Sequence, residues 1–366
     1  MTARTCGGRT PSALVLGAGI SGLTSALALV ERGFRVTIVA ERVSPDIVSA
    51  VAGALWEWPP AVCGQHDDVR SLERSKSWCV ESYREFTKLA AMPDTGVFVR
   101  PAVFYLRRPL EQDPPERRKT EEMRDHVEGF RHDAALVREN LVSPEAGAVD
   151  AYSFRAPTID TEAYLQWLLD RVRRAGCVLV TRRIGGCLSE RAPELRASYG
   201  ADVVVNCSGL GALRLADDNL VFPLRGALLH VVNDGRRTPR ITSAHAMAYE
   251  ESLGHQNMVF IVPRGRDTLV LGGLVEAGEW STDLGYAYAP FRRMVERCQE
   301  FLPALRGIVP TARPIRVGLR PARKTNVRLE PEPGNRVVHN YGHGGSGVTL
   351  SWGCAREVAD LAAELA

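Results

Sequence analysis

Two glycine-rich segments near opposite ends of the chain, 14–30 and 337–353, constrain its fold more than any other feature. The first reads LVLGAGISGLTSALALV and carries Gly17, Gly19 and Gly22 in GxGxxG spacing, after an apolar run with strand character and at the start of a helical pattern. A tight turn at Gly17 and a bare backbone at Gly19 let a pyrophosphate rest against the N-terminus of the following helix, where free N–H groups and the helix dipole favour negative charge. Gly22 lets helix and strand approach closely. The next strand, RVTIVAE at 35–41, ends in Glu41 at the spacing where a carboxylate takes a ribose hydroxyl, so the unit points to an adenine dinucleotide. A lone GxGxxG says little, but strand, turn, helix, second strand and terminal acid in one compact unit say much more.

Arg4 and Arg9 precede the apolar run as they would in an export signal, yet Gly17, Gly19, Ser21, Gly22 and Thr24 interrupt it and no small-residue cleavage site follows. The same interruption argues against a bilayer helix. At 366 residues, 45% hydrophobic and 24% charged, the chain can bury a large core, divided between two domains. The net charge is only +3, and of the 46 basic residues only Lys76, Lys88, Lys119 and Lys324 are lysine. The arginines form no stripe or block, so no nucleic-acid partner is expected. The cysteines, Cys6, Cys63, Cys79, Cys177, Cys187, Cys207, Cys298 and Cys354, show no CxxC and no paired histidine spacing. They read as reduced packing residues, with no metal site, in a protein of the reducing cytoplasm without a membrane partner.

Further along, an amphipathic helical pattern covers 71–89, and a polar, proline-bearing stretch at 107–125 reads as an exposed loop leading to a charged helix. Asp160 or Thr161 caps a helix that Gly176 closes, and strands follow at 177–183 and 201–209. The segment 222–273 alternates like an antiparallel sheet, and a last helix is expected from Gly342 to about Leu365. The fold class is therefore α/β, a discontinuous Rossmann-like cofactor domain with a mixed or antiparallel substrate domain. The expected division is 1–55, 150–215 and 312–366 for the first and 56–149 and 216–311 for the second. A nicotinamide enzyme normally builds its second half-site from another βαβ unit, whereas here the second glycine turn lies near the far end of the chain. That layout favours FAD, whose reduced ring is anionic at N1 and O2 and needs backbone donors such as a 344–349 turn would supply.

The residues also match a known family. Over nearly its full length the chain resembles the D-amino acid oxidase and glycine oxidase group of FAD-dependent amine oxidases. The resemblance rests on VLGAGISGL at 15–23, AER at 40–42, AGALW at 52–56, VVNCSG at 204–209 and VLGGLVEAGEW at 270–280. It rests above all on VGLRPAR at 317–323 and HNYGHGGSGVTLSWGCA at 339–355, which are specific to the D-amino acid oxidase branch. It implies that Gly17, Gly19, Ile20, Ser21, Gly22, Glu41, Arg42, Ser49, Gly53, Ser208, Gly209, Gly344, Gly345, Gly347, Val348 and Thr349 surround noncovalently held FAD. It sets Arg320 opposite the substrate carboxylate, Gly345 as a carbonyl acceptor for the amine, and Gln256, Phe260 and Trp56 in the substrate pocket. Arg320 is also the residue that physics would choose, since a planar guanidinium grips a carboxylate with two parallel hydrogen bonds. Arg316 and Arg323 read as salt-bridge or solvent-facing residues.

One departure bears on specificity. The family carries two active-site tyrosines where this chain has Gln256 and Phe260, and no tyrosine lies within 255–265, although Tyr249 is near. The expected substrates are a D-amino acid or an N-substituted glycine, with O2 as the electron acceptor giving H2O2, and the lost phenols tilt the expectation toward the glycine. His343, in a glycine-rich turn, reads as structural or flavin-side rather than as a base. Two other classes stand beside this reading. An NAD(P)-dependent dehydrogenase is disfavoured by the GHGGSG turn, and a flavin-binding protein without oxidase activity by the retained Arg320.

Overall fold

A computed structural model describes residues 9–59, 66–248 and 258–366. In the first half the elements are β1 Ser12–Leu16, α1 Ile20–Glu31, β2 Arg35–Ala40, α2 Val69–Ala90, β3 Val97–Leu106, α3 Pro114–Met123, β4 Glu128–His132, α4 Ala135–Glu139, β5 Asp150–Ile159 and α5 Thr161–Arg174. Then follow β6 Val178–Thr181, α6 Leu188–Tyr199, β7 Val203–Asn206, α7 Ala212–Leu215, β8 Val221–Val232, β9 Ala244–Met247, β10 Val259–Arg264, β11 Thr268–Gly272, β12 Glu276–Ala277, α8 Ala289–Phe301, β13 Pro310–Arg323, β14 Arg328–Pro331, β15 Val337–Tyr341 and α9 Ser351–Leu365.

Two sheets organise these elements. One has six strands in the order β14-β15-β7-β1-β2-β6, all parallel except the β14–β15 pair. Its central strand β1 is buried along its whole length, as a parallel strand covered by helices on both faces must be. Helices α1 and α9 pack together on one face, while Leu188, Ala192 and Leu195 of α6 cover Leu14, Leu16 and Val204 on the other. The contact of α9 with α2 is close enough that a side chain at Gly353 would collide with the Trp78 backbone.

The second sheet has nine strands in the order β12-β8-β11-β10-β9-β3-β5-β4, with β13 also paired to β8. Its period-two alternation separates two faces. Ala227, Leu229, Val259, Ile261 and Leu271 point to α8 and pack on Phe291, Met294, Cys298 and Phe301. The opposite face looks into the cavity described below. There Gly272, Phe260, Ala246, Phe104 and Tyr152 form a row of directly paired residues across β11, β10, β9, β3 and β5.

The structure corrects several expectations. Residues 150–159 and 312–323, assigned by sequence to the cofactor domain, are β5 and most of β13 and belong to the nine-stranded sheet. The boundary moved because β13 finds its partner in β8, far earlier in the chain, which local patterning does not reveal. Asp160 holds the N-cap position of α5 without a side-chain capping bond, since its carboxylate is drawn to Arg264 at 3.4 Å. The last helix starts at Ser351 rather than Gly342, because 344–346 form a tight 3-10 turn and Gly344 has φ +54°. The short strand β9, paired parallel to β3 and antiparallel to β10, joins the two halves of the sheet and has no strong signal in the sequence.

Candidate active site

A cavity of about 1540 Å³ is lined by residues from both sheets, and its walls bring together segments three hundred residues apart. One end is the turn between β1 and α1. Gly17 has φ +115°, and a Cβ there would fall closer than 3.0 Å to the Cys207 carbonyl. Gly22 lies against the Gly17 carbonyl and does not line the cavity, so its role is the close strand–helix packing its spacing implies. Gly19 caps α1 without a side chain, which leaves the helix N-terminus open to the cavity, and the Ile20 N–H reaches the Ser49 hydroxyl at 3.1 Å. Ser21, Glu41, Arg42 and Ser49 line the same wall. Glu41 has Arg183 at 3.9 Å and remains free to accept from another group.

The glycine cradle, the open helix end and the terminal carboxylate form a donor and acceptor set that fits the diphosphate and ribose of a dinucleotide. Gly53 lines the cavity with no side chain because a Cβ there would stand 2.6 Å from Cε1 of Phe260, which packs against it. Arg264 fixes this segment from beneath, donating to the carbonyls of Ala52 at 3.0 Å and Ala50 at 3.1 Å.

The other wall is where the two ends of the chain meet. Ser208 and Gly209 follow β7, and Pro321 of β13 lies 3.6 Å from where a Cβ on Gly209 would be. His343 bridges to Ala322, so the turn carrying Gly344, Gly345, Gly347, Val348 and Thr349 is tied to the strand that carries Arg320. His343 is buried, and its Nε2 meets the Asn340 amide oxygen at 3.0 Å, a bond in which the ring donates. Burial lowers its pKa to about 4, so the ring is neutral near pH 7.

Arg320 is the centre of this wall. Its guanidinium lies over Gly226 of β8, where any Cβ would come closer than 3.0 Å to Cζ and both terminal nitrogens. Nη1 approaches the carbonyls of Leu274 at 3.4 Å and Arg225 at 3.5 Å, and no carboxylate pairs with it among the described residues. Burial without a counter-ion lowers its pKa to about 10. By contrast Arg323 donates to Asp218 at 2.8 Å and Arg316 pairs with Glu162, so both are engaged as structural ion pairs. Arg225 beside it is tied to Glu276 at 2.6 Å and to the Ser281 carbonyl at 2.9 Å.

Phe260 lines the cavity on β10, whereas Gln256 and Tyr249 lie outside the described residues. Trp56, expected in the pocket, is instead core. Its indole N–H donates to the Cys79 carbonyl at 3.1 Å and its ring meets Tyr83 and Phe154 edge-on. The extended segment alternates, so with Trp56 and Trp58 turned inward, Leu55 and Glu57 face the cavity. Sequence reasoning missed Glu57, although a carboxylate between two tryptophans is itself a signal, and it missed Lys119 and Glu116 on α3, hidden in a stretch that reads as exposed.

Among the described residues no group of three or more His, Cys, Asp or Glu could hold a metal ion, and no helix is long and apolar enough to cross a membrane. Comparison with known proteins agrees with this geometry. The DAO family, described as FAD dependent oxidoreductase, matches residues 12–361. A D-amino-acid oxidase of Rubrobacter xylanophilus is 42% identical over 355 residues, covering 96% of this chain and 95% of the relative. A D-amino-acid oxidase of Streptomyces coelicolor is 36% identical, with 97% of each chain covered. The solved glycine oxidase of Geobacillus kaustophilus shares the fold at a TM-score of 0.73 and 18% identity, over 98% of this chain and 96% of that one. With the dinucleotide cradle at one end of the cavity and, at the other, a half-buried arginine that no carboxylate pairs with among the described residues, the chain belongs to the DAO family of FAD-dependent oxidoreductases.

Proposed function

We propose that this enzyme oxidises the C–N bond of an amino acid that carries a free carboxylate, with D-amino acids as the first substrate class and O2 as the acceptor. The observation that carries the reading is Arg320, a guanidinium enclosed in the cavity wall with two distant carbonyls and no anion beside it among the described residues. A half-buried charge facing a cavity in that state is poorly satisfied, and a substrate carboxylate offers the two parallel acceptors it lacks. The six-stranded unit, with its glycine cradle, is the FAD-binding part, and the cavity face of the nine-stranded sheet receives the substrate.

FAD, when bound, accepts two electrons and the Cα hydrogen from the substrate and passes the electrons to O2. With water the balance is amine, O2 and H2O giving carbonyl compound, ammonia and H2O2. The protein's own part is positioning. Arg320 fixes the carboxylate, the Gly345 carbonyl accepts from the neutral amine, and Phe260 supplies an apolar wall that keeps water from the reacting carbon. Little acid–base machinery is needed, in keeping with a His343 that is buried and neutral.

A second reading, an N-substituted glycine giving glyoxylate and a free amine, is favoured by Phe260, because a phenyl ring in place of a phenol binds added carbons at roughly 0.8 kcal/mol per buried CH2. A peroxide assay over D-alanine, D-leucine, D-norleucine, glycine, sarcosine and N-butylglycine separates the two. The D-series leading in kcat/KM supports the first reading, and the N-alkylglycines leading supports the second. Reduced thiols at Cys177, Cys187, Cys207 and Cys298 support residence in the reducing cytoplasm.

A further inference from the structure

The cavity does not end at Arg320 and Phe260. Its wall continues along the sheet row through Ala246 and Phe104 to Tyr152, where Glu57, Glu116 and Lys119 close it. Lys119 Nζ lies 3.0 Å from Glu116 Oε1 and 3.5 Å from Glu57 Oε1, and the Tyr152 hydroxyl donates to Glu116 Oε1 at 2.8 Å. The ammonium stands 5.8 Å and 5.7 Å from the centroids of the stacked Phe104 and Tyr152 rings. Nothing in the proposed oxidation uses this group.

The charges do not balance. Two carboxylates face one ammonium, and Lys119 sits closer to Glu116 than to Glu57. Among the described residues the Glu57 carboxylate has Lys119 alone as a partner, and burial raises its pKa, with Lys119 opposing the rise only in part. Lys119 is held charged despite its burial by Tyr152, Glu57 and Glu116 together. Of the arginines on the same wall, Arg108 stands near Asp113 at 3.8 Å and Arg107 reaches the Ala146 carbonyl at 3.4 Å, and neither is paired with Glu57 or Glu116. A second cation would supply what Glu57 lacks, and the aromatic faces of Phe104 and Tyr152 favour a cation further. An anion arriving there would meet two carboxylates.

We infer that Glu57, with the aromatic floor of Phe104 and Tyr152, forms a subsite for a positively charged group at the far end of the substrate, an ammonium or guanidinium on its side chain or N-substituent. The inference rests on the amino acid oxidase reading and narrows its substrate class. Phe260 and Phe104 stand two strands apart, about 10 Å, so a short side chain leaves the subsite empty and only a long one carries its cation toward it. Glu57 is here a specificity residue that does not touch the reacting carbon.

The test compares matched substrates on the FAD-loaded enzyme at pH 8: D-lysine and D-arginine against D-norleucine and Nε-acetyl-D-lysine, and N-(4-aminobutyl)glycine against N-butylglycine. The expected result is a kcat/KM at least ten-fold higher for the cationic member of each oxidised pair, with the gap carried by KM. In Glu57→Gln the cationic-to-neutral ratio falls ten-fold or more, a change that a purely structural role, acting on both members alike, does not produce. If Glu57→Gln does not fold, the ratio in the unmodified enzyme decides alone. Neutral substrates that match or exceed their cationic partners overturn the subsite and leave the oxidase reading standing. Flavin that no member of any pair reduces overturns the oxidase reading, and the subsite with it.

Discussion

Replacing Gly226 with alanine tests whether the position of Arg320 is set by the backbone beneath it. The added Cβ would fall closer than 3.0 Å to Cζ, Nη1 and Nη2 of Arg320, while no backbone atom stands among its three nearest contacts. A flexible side chain yields where a backbone does not, so the chain folds and the guanidinium shifts, by roughly 1 Å to recover van der Waals separation. Nη1 then loses its approach to the Leu274 and Arg225 carbonyls, and the carboxylate it holds is displaced from the reacting geometry. A misplacement of about 1 Å costs on the order of 10²-fold in rate, equivalent to about 2.7 kcal/mol. The assay is kcat/KM on the best D-amino acid beside flavin content and thermal midpoint. The expected outcome is a loss near two orders of magnitude in kcat/KM with FAD retained and the midpoint within a few degrees. Full activity in Gly226→Ala would show that the observed Arg320 geometry is not the one that binds substrate.

Other outcomes follow from the same wall. Arg320→Leu keeps its flavin and loses carboxylate binding, with about 2–5 kcal/mol removed from benzoate affinity, read by titrating the flavin spectrum. Benzoate has no amine to titrate, so above the range of its own carboxyl, about pH 4, its affinity follows Arg320. The guanidinium is lowered to about 10 in the free enzyme, and binding of an anion favours its charged form, so affinity is constant from above the range where the ligand's own carboxyl protonates, about pH 4, and weakens as pH rises through about 10. Phe260→Tyr returns a hydroxyl to the cavity wall opposite Gly53 and shifts kcat/KM toward small D-amino acids relative to N-butylglycine; an unchanged ratio would remove Phe260 from the account of specificity. Gly17→Ala, forced into φ +115° and against the Cys207 carbonyl, purifies with little FAD if it folds, measured by the flavin-to-protein absorbance ratio.

What the sequence made legible is what backbone geometry alone demands. Gly17 and Gly22 are needed where strand, helix and turn nearly touch, and no other residue type satisfies those distances, so the motif can be read without the fold. The parallel core strands β1, β2 and β7 are equally plain, being short apolar runs bounded by turn residues. Arg320 stood out through its apolar and glycine neighbours. The pairing of β13 with β8, by contrast, is decided by register over long sequence separation, which no window of residues contains. Trp56 and Glu57 differ only by phase on an extended segment, and the phase is set by Trp56 fitting between Tyr83 and Phe154, far away in sequence. Lys119 was hidden because α3 is charged throughout, and burial of its ammonium depends on Phe104 and Tyr152 arriving from other strands.

Anaerobic mixing of the purified protein with a D-amino acid tests the central claim most directly, because flavin absorbance reports cofactor and chemistry in one trace. The expected protein is yellow, its FAD is released by denaturation, and the visible band bleaches on adding substrate at a rate that saturates with concentration. Admitting air should then restore the colour with one H2O2 formed per flavin reoxidised. A colourless protein that binds NADH, or bound flavin that no carboxylate-bearing amine reduces, would contradict the account.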